Sequence, residues 1–173
     1  DISRVGVTGW SFGGYFAAHA TMRRPDIYRC GVAGAPVADW ADYDTHYTER
    51  YMGLPQDRAS DYANTNALTY CKDLSVPLLI IHGTADDTIA YQGGVIEFEG
   101  EPHDAGYPSV DDTVGRWVSL DGCATPPTAR EALDLDVSLD GAETQVSVWG
   151  ECTSGTQVEL WAVQGGSHIP PFD

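Results

Sequence analysis

Positive charge is scarce in this chain. Of 173 residues 9 are Lys or Arg, and only Lys72 is a lysine, against 26 Asp or Glu, for a net charge of −17. A surface this acidic repels phosphate, which excludes nucleic acid and anionic membrane as partners. The excess reads as a solvated acidic face of the kind found on secreted or salt-adapted proteins. Long apolar runs are missing too: none approaches the ~18 residues of a membrane span, and no basic-then-apolar leader opens the sequence. No C-x-x-C, H-x-x-x-H or H-E-x-x-H spacing occurs, so neither a metal site nor a cofactor is expected. With 42% hydrophobic residues the chain can build a core, and its length suits a single domain, 1–173.

What is present begins at Arg4-Val-Gly-Val-Thr-Gly9-Trp10-Ser11-Phe12-Gly13-Gly14-Tyr15. A short β-branched run meets Gly-x-Ser-x-Gly, and an Ala- and aromatic-rich segment follows. That strand–turn–helix context makes the motif a nucleophile elbow. So sharp a turn strains the serine backbone and requires small neighbours, so a Cβ at Gly9 or Gly13 is expected to collide with the adjacent strand or helix. The backbone N–H of Phe12, next to the serine, is the expected oxyanion donor.

A serine nucleophile needs a base and an orienting acid, in the order Ser, Asp or Glu, His. Val76-Pro-Leu-Leu-Ile-Ile81 is an apolar run suited to a buried parallel strand, and it ends in His82-Gly-Thr-Ala-Asp86-Asp87. Val158-Glu-Leu-Trp-Ala-Val163 reads as another strand and runs into Gln164-Gly-Gly-Ser-His168. Ser11, Asp86 and His168 therefore leave one edge of one sheet, the edge where open α/β sheets bind ligands. Ser11 is assigned as nucleophile, His168 as general base, and Asp86 as the orienter. Asp87 is the alternative orienter and His103 the rival base. His82, at a strand end, and His19, inside a helix, read as structural, and His46 lies in a loop.

Helix is predicted over 13–24, with Tyr15, Phe16, Ala18 and Met22 inward and Pro25 as its stop. Residues 35–70 read as irregular and aromatic. Ser109-Val-Asp-Asp112 is a capping box, followed by Val110, Val114, Trp117 and Val118 at helical spacing. Residues 124–143 read as a surface excursion, and 144–149 and 157–163 as two strands around a turn. Cys30 falls in a predicted buried strand. Cys123 and Cys152 fall in exposed connections, where a disulfide would imply an oxidising compartment, though spacing alone does not fix the pairing.

From Arg4 to Ile89 the sequence resembles the catalytic domain of the prolyl oligopeptidase family of serine peptidases, and within it the dipeptidyl peptidase branch. The residues that carry this are Gly9-Trp-Ser-Phe-Gly-Gly14, Ala35-Pro-Val37, Trp40, Tyr43, Tyr47-Thr-Glu-Arg-Tyr-Met-Gly-Leu-Pro55 and His82-Gly-Thr-Ala-Asp-Asp87. The resemblance implies that Phe12, Val37, Trp40, Tyr43 and Tyr47 line a slot for a proline ring. Beyond residue 90, Tyr91-x-Gly-Gly94, Tyr107-Pro-Ser109, Thr113-Val-x-Arg-Trp117, Asp121-Gly-Cys123, Cys152 and Gly165-Gly-Ser-His168 look like secreted polyhydroxybutyrate depolymerases and feruloyl esterases. There the matching cysteines pair and the matching histidine is catalytic.

Together these imply the carboxyl-terminal half of an α/β-hydrolase fold. The expected sheet is mostly parallel, of four or five strands flanked by helices and truncated at the amino terminus, without the loop that supplies a second oxyanion donor. The function implied is a secreted or periplasmic serine hydrolase of the peptidase type, acting on a peptide or ester substrate. The alternatives are a secreted carboxylesterase and an inactive fragment or interaction module.

Overall fold

In the computed structural model the described residues are 1–95, 97–98, 101–102 and 106–172, with 97–98 and 101–102 described by their backbone alone. Val5–Trp10 forms strand β1, which passes through Ser11 directly into helix α1, Phe12–Arg23. The chain returns as β2, Tyr28–Gly34, parallel to β1. Small residues let the helix lie close to these strands. A Cβ on Gly14 would stand 2.4 Å from the Gly34 carbonyl oxygen, and one on Gly31 2.1 Å from Thr21 Oγ1.

Helices α2, Thr45–Met52, and α3, Ala59–Thr65, follow, with 3-10 segments at Trp40–Asp42 and Ala67–Asp73. The apolar run becomes β3, Leu78–Gly83, buried at Leu78, Ile80, Ile81 and His82. Two-residue strands β4, Glu97–Phe98, and β5, Glu101–Pro102, pair antiparallel. Helix α4, Val110–Asp121, starts where the capping box predicts: Ser109 Oγ accepts from Asp112 N at 3.0 Å. Its stripe of Val110, Val114, Trp117 and Val118 is buried, and Gly122 closes it with φ 63°. Strands β6, Thr128–Ala129, β7, Thr144–Trp149, and β8, Val158–Val163, complete the sheet.

The sheet has six strands in the order β1-β2-β3-β8-β7-β6. The first four run parallel, and β7 and β6 join antiparallel. One core runs from Ala18 and Met22 of α1, past Leu78, Ile80 and Leu160 in the sheet, to Trp117 of α4. A disulfide joins Cys123, just past α4, to Cys152 in the β7–β8 turn, while Cys71 keeps a buried free thiol.

Five expectations need correction. The sheet exceeds the expected four or five strands because β6, inside the polar excursion, adds a short edge. Residues 35–70 are largely helical, since Asp39, Asp44 and Asn66 each cap a segment by accepting a backbone N–H. Phe16 is 57% exposed, because Ala17 and Ala18 take the sheet-facing positions that glycine-lined β1 and β2 leave for small side chains. A Cβ on Gly13 would meet open space, so the steric demand at the elbow falls on Gly9 alone. Cys30 is exposed, because β1 is an edge strand whose Gly6 places no side chain over it. Among the described residues no helix is long and apolar enough to cross a membrane.

Candidate active site

Ser11 stands between β1 and α1 with φ 55° and ψ −117°, a strained backbone for a residue with a Cβ. Two bonds hold it there: Ser11 N donates to Gly34 O at 2.9 Å, and Tyr15 N to Ser11 O at 3.0 Å. The turn closes so tightly that a Cβ on Gly9 would lie 2.2 Å from Gly13 O. Phe12 opens α1, so its N–H belongs to the first amides of a helix, which lack intrahelical acceptors and sit at the positive pole. Trp10, beside the serine, reaches across the edge of the sheet, where its Nε1 donates to the carbonyl oxygen of His168.

Asp86 follows β3 with its side chain fully buried. Its Oδ1 accepts from Thr88 N at 2.9 Å and Ile89 N at 2.7 Å. Its Oδ2 faces His168 Nδ1 at 2.8 Å. A carboxylate opposite Nδ1 places the imidazole proton there and leaves Nε2 as the basic nitrogen. Neighbouring Asp87 is exposed and accepts from Thr88 Oγ1 at 3.5 Å, so the two adjacent acids have different environments.

The loops after β3 and β8 interlock. Thr84 N donates to Val163 O at 2.9 Å, Ala85 N to Gly166 O at 3.0 Å, and Gly165 N to Thr84 Oγ1 at 2.8 Å. The approach requires glycine, since a Cβ on Gly83 would stand 2.2 Å from Gly166 O.

His82 is buried behind this pair. Its Nδ1 lies 3.0 Å from Gly83 O and 3.8 Å from Asp86 Oδ2, and its ring stands edge-on to Tyr91 at 5.7 Å. Burial holds its pKa below the usual imidazole value, against the pull of the Gly83 carbonyl and Asp86. The sequence marked His82 only as structural; its closeness to Asp86 follows from the four-residue spacing across the turn. His19 lies in α1 and His46 in α2, while His103 lies outside the described residues.

Trp40, 6% exposed, is the hub of an aromatic cluster. Ring centroids of Phe12, Tyr15, Tyr43 and Tyr47 lie 5.6, 5.2, 5.5 and 6.1 Å from it. A groove of about 380 Å³ is walled by Phe12, Tyr15, Trp40, Tyr47, Tyr51 and Met52. Val37 and Tyr43 turn instead to a smaller cavity of about 70 Å³ shared with His82, Ile89, Tyr107 and Trp117. Of the five slot residues expected from sequence, Phe12, Trp40, Tyr43 and Tyr47 thus form one aromatic cluster with Val37 packed against it, but the five divide between two cavities. Tyr51 and Met52 were missed, although Tyr47 and Tyr51 are one helical turn apart. Burial raises the pKa of the Tyr43 hydroxyl, so it stays a neutral donor.

Among the described residues the one group of three potential metal ligands is Asp121, Cys123 and Cys152. It lies at the opposite end of the sheet from Ser11 and His168.

Residues 1–98, more than half of the chain, match the family model of the prolyl oligopeptidase family. The chain belongs to the prolyl oligopeptidase family. It is 44% identical over 112 residues to dipeptidyl peptidase 8 of Homo sapiens, covering 60% of this chain and 12% of that protein. To dipeptidyl peptidase 4 of Bos taurus it is 41% identical over 95 residues, covering 53% of this chain and 12% of that protein. The chain therefore spans about an eighth of the length of the curated relatives it matches. A crystal structure of a protein assigned as dipeptidyl aminopeptidase IV from Bacteroides ovatus superposes with a TM-score of 0.63 and 27% identity, over 98% of this chain and 17% of the other. This α/β-hydrolase likeness runs past residue 98, so the residues that look esterase-like share one fold with the peptidase-like ones.

Proposed function

We propose that residues 1–173 are part of one α/β-hydrolase domain carrying the Ser11–Asp86–His168 triad of a serine peptidase that cleaves after proline. In this reading His168 Nε2 takes the Ser11 proton as Oγ attacks the scissile carbonyl, and Asp86 stabilises the imidazolium. The developing oxyanion accepts from Phe12 N–H. His168 then protonates the leaving amine, and an acyl-enzyme on Ser11 remains for water to hydrolyse. The observation that carries the proposal is the His168–Asp86 hydrogen bond of 2.8 Å, with Trp10 bound to the same histidine's carbonyl. Acid and base are thereby anchored to the residue beside the serine.

The aromatic walls around Trp40 suit a flat apolar ring, which supports proline at the acyl side of the cleaved bond. The Cys123–Cys152 bond supports an oxidising location, secreted or periplasmic. A fluorophosphonate probe tests the nucleophile: Ser11 is expected to be labelled, and the Ser11→Ala chain to take up none. Equal labelling of the two would overturn the assignment. An Ala-Pro anilide tested beside a butyrate ester separates peptidase from esterase chemistry, with amide cleavage expected.

A further inference from the structure

Asp121, the last residue of α4, is 3% exposed, and neither of its carboxylate oxygens has a hydrogen-bond partner among the described residues. Buried acids without partners are rare, and a bound ion is one of the ordinary reasons for them. An oxygen of Asp121 and the sulfurs of Cys123 and Cys152 all lie within 4.8 Å of one another. While the sulfurs are joined they make poor ligands, because the thiolate is the metal-binding form of cysteine. We propose that, when this disulfide is reduced, Asp121, Cys123 and Cys152 form a binding site for a thiophilic divalent cation of the zinc class. The same three groups then alternate between a disulfide beside an unpaired acid and a metal centre.

The surrounding backbone holds the groups together without help from the disulfide. Thr153 N donates to Asp121 O at 2.9 Å, and Ala124 N to Gly150 O at 2.9 Å, so two main-chain bonds clamp the segment after α4 to the β7–β8 turn. The helix end is itself closed, with Cys123 N donating to Val118 O at 3.0 Å. Opening the bond lets the sulfurs move apart. A tetrahedral ion with Zn–S near 2.3 Å asks for about 3.8 Å between them, a movement that side-chain rotation supplies. The Asp121 carboxylate, having no other partner, is the third ligand. Water takes the fourth position, as at zinc sites with three protein ligands. A dication beside two thiolates and a carboxylate also offsets the charge of an otherwise unpaired buried acid.

Each step balances. A trialkylphosphine reduces the disulfide, gains oxygen from water to become the phosphine oxide, and leaves two cysteine thiols. Binding of the dication then releases the two thiol protons. The site is independent of the triad, so its test is independent of peptidase activity.

The experiment uses the chain carrying Cys30→Ser, which removes the exposed thiol, under anaerobic conditions with Zn²⁺ read by competition with a metallochromic indicator. One tight equivalent is expected after phosphine reduction and none before it. Asp121→Asn, which keeps the side-chain shape, is expected to lose that equivalent. Cobalt(II) is expected to give thiolate charge-transfer absorption in the reduced chain alone, absent in Cys152→Ser. Absence of bound zinc in the reduced chain, zinc bound equally before reduction, or undiminished binding by Asp121→Asn would each overturn the proposal. The oxidised–reduced comparison with Asp121 intact decides the matter if the substituted chain does not fold.

Discussion

The Asp86–His168 pair and the Trp40 slot lie at the same edge of the sheet but are held by different forces. Backbone fixes the pair: amides of residues 84, 85 and 165 bind across two loops, and two more from Thr88 and Ile89 hold the carboxylate. The slot instead rests on aromatic contacts with ring centroids 5 to 6 Å apart, with Tyr47 43% and Phe12 55% exposed. Main-chain hydrogen bonds allow little adjustment, whereas a cluster of half-exposed rings repacks at small cost. Under the proposed function, the chemistry would therefore be built on rigid parts and the recognition on adaptable ones.

Substitutions on the two sides sharpen the contrast. Asp86→Asn leaves the shape intact and removes the acceptor that orients His168, so fluorophosphonate labelling of Ser11 is expected to slow by about four orders of magnitude. Trp40→Ala removes the hub of the slot and is expected to destabilise the fold by about 3–5 kcal/mol in denaturant titration. Its labelling rate is expected to stay close to that of the parent under native conditions, while preference for proline disappears. Gly83→Ala forces the two loops apart. An expected loss of about 1–3 kcal/mol of stability comes with slower labelling, the two effects together being the mark of the rigid side. Asp87→Asn, on an exposed neighbour, is expected to change neither by more than about 0.5 kcal/mol. A larger effect there would move the orienting role away from Asp86.

A pH series adds a fifth handle. His82 has a folded pKa below its ordinary 6.5 because burial opposes its charge. The unfolded chain takes up that proton first, so the stability His82 contributes is complete above 6.5 and is lost as pH falls through the folded value. Melting temperature is expected to drop on acidification across that window, and His82→Gln is expected to flatten the drop.

The elbow, the buried run of β3 and the capping box of α4 were legible in sequence because each is decided within a few residues. That Ser11, Asp86 and His168 lie past the carboxyl ends of β1, β3 and β8 was legible for the same reason, whereas their catalytic roles belong to the proposal. What was not legible depends on neighbours distant in sequence. Phe16 faces outward because of which side chains β1 and β2 lack, and Cys30 is exposed because of where β2 sits in the strand order. The helices of 35–70 were local enough to find, since Asp39, Asp44 and Asn66 are cap residues. Their aromatic periodicity was instead read as irregular packing. The division of the slot between two cavities depends on how β3 and α4 meet, and no local pattern carries it.

Strand order also sets a timetable. Asp86 and His168 are 82 residues apart in the chain, and β8 takes its place between β3 and β7. During synthesis at ~5–20 residues per second, that gap lasts about 4–16 s. Through that interval the growing polypeptide holds a serine and an acid with no base to join them. Under the proposed assignment the nucleophile is born unarmed, and a potential peptidase passes its first seconds beside other nascent chains without the means to cut them.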